Sequence, residues 1–216
     1  MGRFHAVIFD MDGVLADSEP AYLEGINRVL ARFGVRLSEG ENAAIMGTTV
    51  EVTWGTVIEK FGLPPETYEE CVASYDRAME ELLRAPREPL PGARWLLREL
   101  QSRKVPYALA SSAWPNWIAS LLEATGLDGA FDVVVSRTMV EHGKPAPDIY
   151  LYAAEKLGVE PQRCVALEDT PTGIAAAKAA GMFAVQMRGA STAFPPLPAA
   201  DLVLDSLEEF PLALLE

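Results

Sequence analysis

The sequence has few cysteines, few histidines and few basic residues, and these scarcities exclude several classes of protein. Its 216 residues include 2 cysteines and 2 histidines, and 18 lysines and arginines stand against 31 aspartates and glutamates, for a formal net charge of −13. Such an excess of negative charge opposes non-specific binding to nucleic acid or to an anionic membrane surface. No apolar run approaches the ~18 residues that a membrane helix needs. We therefore expect no nucleic-acid partner and no membrane partner.

The two cysteines, Cys71 and Cys164, lie within apolar patterns and lack the spacing of a metal site. We interpret them as buried free thiols rather than as a disulfide, which fits a reducing compartment. The first residues do not form a long apolar segment behind a basic region, because Asp10 interrupts the run. We therefore predict no signal peptide and expect a cytoplasmic protein.

The spacing of the apolar residues divides the chain into two kinds of segment. Residues 4–9 form a short apolar run that predicts a buried strand. Residues 17–88 contain only helical patterns, whereas strands and helices alternate from residue 89 onward, which is typical of a parallel sheet. The later strands are predicted at residues 105–110, 131–135, 164–167, 183–186 and 202–204. We expect an α/β fold in which a Rossmann-like core domain (1–16 and 89–216) carries an inserted all-helical domain (17–88).

Polar side chains follow four of the predicted strands. Asp10 and Asp12 follow the first, Ser111 and Ser112 the second, Lys144 the third at some distance, and Glu168 and Asp169 the fourth. Each group has a simple structural explanation as a turn, a helix cap or a solvated lysine. Ligands of open parallel sheets, however, bind beyond the carboxyl ends of the strands, so we expect these residues to meet. Carboxylates there suit Mg²⁺, and hydroxyl and ammonium groups beside them indicate a phosphate site.

The order of these motifs resembles that of the haloacid dehalogenase superfamily, in the branch with a helical cap inserted after the first strand. The motifs are Asp10-Met11-Asp12-Gly13-Val14, Ser111 at a strand end, Lys144 in Lys-Pro-x-Pro-Asp, and Leu167-Glu168-Asp169-Thr170. Within that branch the chain is most similar to β-phosphoglucomutase-like phosphatases, whose first motif also continues into Asp-Ser-Glu-Pro. The resemblance covers nearly the whole chain.

The resemblance implies a role for each of these residues. Asp10 would be the nucleophile that forms an aspartyl phosphate, and Asp12 would act as the acid and then the base. Ser111, with Ser112 beside it, and Lys144 would bind the phosphoryl group. Mg²⁺ would be held by Asp10, the carbonyl of Asp12, Asp169 and Glu168.

The resemblance also implies that the helical cap closes over the site and selects the leaving group. The loop at residues 46–49, between two predicted cap helices, offers two hydroxyls and no charge. We take Gly47 and Thr48 as candidate substrate contacts, although the loop serves equally well as a plain helix–helix turn.

The main functional hypothesis is a Mg²⁺-dependent phosphatase that hydrolyses a small phosphorylated metabolite, a sugar or polyol phosphate. A sugar phosphomutase is the alternative, disfavoured because no arginine stands between Gly47 and Trp54 and because Tyr22 occupies the place of the mutase histidine. More distant alternatives are a catalytically silent relative and a receiver-like signalling protein. Nothing in the sequence marks an interface, and we expect a monomer or a weak homodimer.

Overall fold

A parallel sheet forms the centre of the fold. The computed structural model describes residues 3–190 and 194–215. Six strands occur in these ranges: β1 (Ala6–Phe9), β2 (Tyr107–Ser111), β3 (Val134–Ser136), β4 (Cys164–Glu168), β5 (Phe183–Met187) and β6 (Leu202–Leu204). Their order is β3-β2-β1-β4-β5-β6, and each neighbouring pair is parallel. The first strand of the chain therefore lies in the middle of the sheet, between β2 and β4.

Helices fill the connection between β1 and β2 and alternate with the later strands. The first group is α1 (Glu19–Leu30), α2 (Glu39–Asn42), α3 (Val50–Phe61) and α4 (Tyr68–Leu83). The second group is α5 (Ala93–Ser102), α6 (Pro115–Ala124), α7 (Asp148–Leu157) and α8 (Pro171–Ala179). Short 3₁₀ helices lie at Ala31–Phe33, Pro65–Thr67, Arg137–Met139, Pro161–Arg163, Leu207–Glu209 and Leu212–Leu215. None of the described helices is long and apolar enough to cross a membrane.

Both faces of the sheet are covered by apolar side chains. Along β1, Val7 and Phe9 belong to one buried cluster, and Ala6 and Ile8 belong to another on the opposite face, as the two-residue period of a strand requires. The first cluster continues into helices α1, α3 and α4, and the second is covered by α7 and α8. With both faces buried, polar groups gather at the strand ends.

The expected fold class, a Rossmann-like parallel sheet with an inserted helical cap, is confirmed. The third strand was predicted too early, at residues 131–135, and instead spans Val134–Ser136. Phe131 is buried because its ring packs against Phe9, with 5.7 Å between ring centroids, and not because it pairs in the sheet. Cys71 and Cys164 are both buried and free, as expected.

The two connections between the sheet and the helical insertion run side by side. The Leu90 amide donates to the Leu15 carbonyl at 2.8 Å. The Arg87 guanidinium donates to the carbonyls of Asp17 at 3.2 Å and Leu82 at 2.8 Å, and so spans both connections. The division into domains at residues 16/17 and 88/89 stays a prediction, and its core range includes residues 1–2, 191–193 and 216, which lie outside the described residues.

Candidate active site

The loop after β1 carries the first two candidate residues. Asp10 directly follows the strand, and its amide donates to the Leu167 carbonyl of β4 at 2.9 Å. The chain then turns back on itself, with the Gly13 amide donating to the Ala16 carbonyl at 2.9 Å. Gly13 has φ of +73°, and a Cβ there would lie 2.0 Å from Oδ2 of Asp169. Only glycine lets this loop pass so close to the end of β4.

Lys144 contacts the carboxyl ends of three different strands. Its Nζ donates to Asp10 Oδ1 at 2.6 Å, to Glu168 Oε1 at 2.5 Å and to the Ala110 carbonyl at 3.3 Å. The residue is 7% exposed, so these bonds lie in a desolvated environment. Burial alone would lower the pKa of Lys144, but the carboxylates of Asp10 and Glu168 raise it above its usual value. The lysine is therefore a fixed positive charge beside Asp10.

Glu168 and Asp169, adjacent at the end of β4, differ in how their oxygens are used. Glu168 Oε1 also accepts a hydrogen bond from the Tyr150 hydroxyl at 2.6 Å. Its Oε2 accepts from the Asp169 amide at 3.2 Å and from the Thr170 hydroxyl at 3.3 Å. By contrast, Oδ1 of Asp169 is buried and has no hydrogen-bond partner within the described residues. An oxygen in that state is available to an incoming cation.

The carboxylates at these strand ends fit a hard divalent cation. Asp10, Glu168 and Asp169 each offer an oxygen, and the three oxygens lie within 4.8 Å of one another. Burial raises the pKa of Asp10 to about 8 against the opposing effect of Lys144. Burial, followed by the neighbouring carboxylates, also raises the pKa of Asp169 well above its usual value. One ammonium does not balance this concentration of negative charge, and carboxylate oxygens are the ligands that Mg²⁺ prefers.

Asp12 is held by the beginning of α1. The Ser18 hydroxyl donates to Asp12 Oδ1 in a short hydrogen bond, and the Tyr22 hydroxyl also hydrogen-bonds to Asp12. Ser18 occupies the N-cap position of α1, but its side chain makes no bond to the helix. Burial raises the pKa of Asp12 above its usual value. A carboxyl group held in this way is suited to exchange protons near neutral pH.

The two serines after β2 have different surroundings. Ser111 is fully buried, and its Oγ accepts a hydrogen bond from the Ala113 amide at 3.1 Å. Ser112 lines the cavity above Asp10, and its buried hydroxyl has no partner within the described residues. Ser112 is thus the serine of this pair that lines the cavity, while Ser111, whose O–H is not used by its bond from the Ala113 amide, lies outside the cavity lining.

A cavity of about 70 Å³ lies between the strand ends and the helical insertion. The strand-end residues that line it are Asp10, Asp12, Ser112, Lys144, Asp169 and Thr170. Gly47 and Thr48, predicted from the cap loop, line the opposite wall.

The cap loop contacts the start of α8 directly. The Thr172 hydroxyl donates to the Gly47 carbonyl at 3.2 Å, and a Cβ on Gly47 would lie 2.7 Å from the side chain of Thr170. The Thr48 hydroxyl donates to the Ile45 carbonyl at 2.7 Å and lies 3.0 Å from the Thr53 hydroxyl. The loop is therefore a helix–helix turn that also forms part of the cavity wall.

Sequence reasoning missed several polar residues of the cavity wall. Glu19 and Asn42 both line the cavity, and Tyr22 does so beside Asp12. Glu19 lies in the Asp-Ser-Glu-Pro stretch that follows the first motif, and that position could have identified it as a site residue. Nothing in the sequence identifies Asn42 as a site residue, because it reaches the cavity only where α2 lies beside the start of α1.

Comparisons with known proteins agree with this architecture. The sequence profile of the haloacid dehalogenase-like hydrolases matches residues 4–181. The chain is 38% identical over 185 residues to a phosphorylated carbohydrates phosphatase of Thermotoga maritima, an alignment that covers 82% of each chain. It is 34% identical over 188 residues to a fructose-1-phosphate phosphatase of Escherichia coli, covering 86% of this chain and 97% of that protein.

Among solved structures, the fold is similar to that of a β-phosphoglucomutase from Clostridium difficile. The TM-score is 0.86 at 24% sequence identity, and the alignment covers 96% of this chain and 93% of that one. At this level of identity the likeness establishes the fold only.

Proposed function

Because this chain belongs to the haloacid dehalogenase-like hydrolase family, we propose that it is a Mg²⁺-dependent phosphatase acting on a small phosphorylated sugar or polyol. It is an enzyme of the phosphoric monoester hydrolase class. The observation that carries the proposal is the buried Lys144–Asp10 pair at 2.6 Å, next to an Asp169 oxygen that lacks a partner. A carboxylate nucleophile, a fixed cation and a free metal ligand thus face one cavity.

In this proposal the chemistry proceeds in two displacements. An oxygen of Asp10 attacks phosphorus and forms an aspartyl phosphate, while the bond to the leaving alcohol breaks and Asp12 gives that alcohol its proton. Asp12, now ionised, takes a proton from a water that attacks the aspartyl phosphate, which releases inorganic phosphate and restores Asp10. A positioned acid and base of this kind typically contributes about 10²–10⁴-fold to the rate.

The surrounding residues orient the phosphoryl group. In this proposal Lys144 neutralises its oxygens and favours the ionised form of Asp10, and the hydroxyl of Ser112, which has no partner within the described residues, donates to one of them. Ser111 supports this loop through its bond to the Ala113 amide. Thr170, at the start of α8, lines the same end of the cavity.

Mg²⁺ would be held by Asp10, by Asp169 and by the Asp12 carbonyl, and when bound it would neutralise charge on the transferring phosphoryl group. Glu168 is placed differently, because its two oxygens already accept bonds from Lys144, Tyr150, the Asp169 amide and Thr170. In this proposal Glu168 chiefly orients Lys144 and Asp169, and direct ligation would require some of those bonds to break.

The cavity supports a phosphatase of small metabolites over a sugar phosphomutase. Relatives named for phosphorylated carbohydrates and for fructose 1-phosphate support this substrate class. Lys144 is the only lysine, arginine or histidine that lines the cavity in the part of the chain that the structure describes. A mutase that works through a bisphosphate needs a second cationic group for the second phosphate.

The test is phosphate release from p-nitrophenyl phosphate and a panel of sugar and polyol phosphates, with Mg²⁺ and with EDTA. We expect release only with Mg²⁺, and we expect Asp10→Asn to lower kcat at least about 10³-fold, since the nucleophile is lost. Asp128→Asn, at an exposed aspartate away from the cavity, serves as the control and should match the parent. Interconversion of sugar phosphates without net release would assign a mutase instead, and full activity of Asp10→Asn would remove the nucleophile.

A further inference from the structure

Among the described residues, the cap side of the cavity combines apolar side chains (Ile26, Ile45, Met46 and Val50) with polar ones and has no positive charge. Its hydrogen-bonding side chains within the described residues are Glu19, Tyr22, Asn42, Thr48, Thr53 and Tyr75. The only acidic side chain among them is Glu19. A leaving group bound at this end would therefore meet hydroxyls, an amide and a carboxylate, and would meet no cation.

Glu19 and Asn42 form a pair at this end. The Asn42 Nδ2 donates to Glu19 Oε2 at 3.4 Å, which is a long bond, and both residues line the cavity. Asn42 is 7% exposed, so its amide has little access to bulk water. The carboxylate can accept further hydrogen bonds, and the amide can both donate and accept. Two neighbouring hydroxyls on a ligand, each a donor and an acceptor, would complement this pair.

The same pair would disfavour negative charge on the leaving group. Burial, followed by the nearby carboxylates of Asp12 and Asp17, raises the pKa of Glu19 to about 7. The raised pKa of Glu19 means that negative charge is unfavourable in this environment. A carboxylate or a second phosphate on the leaving group would lie near Glu19 without a compensating cation, which is costly at a desolvated site.

Resting on the phosphatase function proposed above, we infer that Glu19 and Asn42 form a hydroxyl-recognition pair for the leaving group. The substrate is then a monophosphate ester of an uncharged alcohol that carries at least two neighbouring hydroxyls. Linear polyols and sugars belong to this class, whereas phosphorylated acids and bisphosphates do not. Glu19 and Asn42 act in specificity and do not take part in the displacement at phosphorus.

A matched set of six-carbon esters tests the inference. Sorbitol 6-phosphate has a neutral polyol leaving group, 6-phosphogluconate replaces its far end by a carboxylate, and hexyl phosphate lacks the hydroxyls. Glycerol 3-phosphate, 3-phosphoglycerate and propyl phosphate repeat the comparison with three carbons. We expect kcat/KM for a polyol ester to exceed that for its acidic and alkyl counterparts by at least about ten-fold in one of the two series.

The variants separate recognition from general effects on the site. Glu19→Gln and Asn42→Ala should each lower kcat/KM for the polyol ester at least about ten-fold more than for p-nitrophenyl phosphate, which has no hydroxyl to recognise. Glu19→Gln should also narrow the gap between the polyol ester and its acidic counterpart. The control is Glu24→Gln, because Glu24 lies on the same helix, is exposed, pairs with Arg28 and does not line the cavity. Its activity on every ester should match that of the parent.

The outcomes are distinguishable from failure of the proposed function. No release from any ester, p-nitrophenyl phosphate included, would reject the phosphatase itself. Release from p-nitrophenyl phosphate without preference for a polyol over its alkyl counterpart, or with preference for an acid, would overturn the recognition pair alone. Equal losses of kcat/KM on all esters in Glu19→Gln would also overturn the recognition pair. The melting temperature of each variant is measured to show that it is folded.

Discussion

Gly13 shows how little space separates the residues of the site. Its φ of +73° and the 2.0 Å that would separate a Cβ from Asp169 Oδ2 allow no side chain. We expect Gly13→Ala to lower kcat at least about 100-fold, because moving Asp169 by the width of a methyl group disturbs the geometry of the reaction. Phosphate release and urea unfolding would measure the effect.

Gly34 provides the matched control for that substitution. Its φ of +70° is nearly the same, but no atom of the described residues lies within 4 Å of the position of its Cβ. Gly34→Ala should therefore show only the backbone strain of a left-handed residue, about 1–2 kcal/mol in the free energy of unfolding. If both variants kept full activity, crowding at Gly13 would have no part in shaping the site.

Single residues also show what a sequence reveals about a site and what it conceals. Asp10, Asp12, Lys144 and Asp169 could be found because each follows a strand, and the ends of parallel strands meet at one edge of the sheet. Which serine after β2 lines the cavity could not be predicted, because that depends on how the turn directs the two side chains. Residue identity and spacing contain no such information.

At the scale of elements, hydrogen bonds connect helix α4 of the insertion to helix α6, which follows β2. The Trp117 indole donates to Asp76 Oδ1 at 2.7 Å, and Asn116 donates to the same oxygen at 3.2 Å. Trp117 is 1% exposed and lines the cavity, so its nitrogen has no access to water as an alternative acceptor. This contact therefore links the position of the insertion to the wall of the site.

Removing that acceptor should loosen the cavity. We expect Asp76→Ala to lower the free energy of unfolding by about 1–3 kcal/mol, because it leaves a buried donor unsatisfied. KM for p-nitrophenyl phosphate should rise, since Trp117 forms part of the wall. Thermal unfolding and steady-state kinetics provide the measurements.

Two further variants check the origin of the effect. Asp76→Asn keeps a carbonyl acceptor and should restore most of the stability. Within the described residues, Glu80 accepts only from Asn116, at 3.0 Å, so Glu80→Ala should change stability by no more than about 0.5 kcal/mol. A loss in Glu80→Ala as large as that in Asp76→Ala would argue against the indole bond as the cause.

The elements were more predictable than their boundaries. Alternation of strands and helices after residue 89 predicted the parallel sheet, since that period reflects burial on both faces. The third strand was misplaced because Phe131 is buried by tertiary packing in a loop, and an apolar residue has the same appearance in sequence whether a strand or a loop buries it. The short helix α2 begins at a capping box formed by Ser38 and Glu41, which is a local feature independent of the apolar pattern.

At the scale of the whole molecule, the protein has a net charge of −13, and the negative charge affects stability most at the site. Asp10, Asp12, Glu168 and Asp169 share one ammonium there, and burial raises the pKa of three of these carboxyls. In the absence of a cation, this arrangement lowers the stability of the fold. The protein should therefore be markedly more stable with Mg²⁺ than without it.

Asp169→Asn separates the two effects. Without metal, the variant should melt at a higher temperature than the parent, because one buried like charge is removed. With Mg²⁺ at ~100 times its Kd, the parent should gain about 2.7 kcal/mol, and the variant should gain much less. Calorimetry in EDTA and in Mg²⁺ would measure both, without any need for turnover.

Asp128→Asn, at an exposed position, removes the same charge away from the site and should respond to Mg²⁺ as the parent does. An equal gain in Asp169→Asn would mean that Asp169 is not a metal ligand. A lower melting temperature of that variant in EDTA would mean that its carboxyl is stabilising even without the cation.

The hydrogen bond between the Leu90 amide and the Leu15 carbonyl has an evolutionary consequence. The segment between Leu15 and Leu90 begins and ends at neighbouring positions, because these two residues are hydrogen-bonded to each other. Each doubling of such a segment adds only about 0.6 kcal/mol of closure entropy. The segment can therefore change in length or sequence during evolution while the strand ends stay the same. In that way the substrate can change while the reaction is kept.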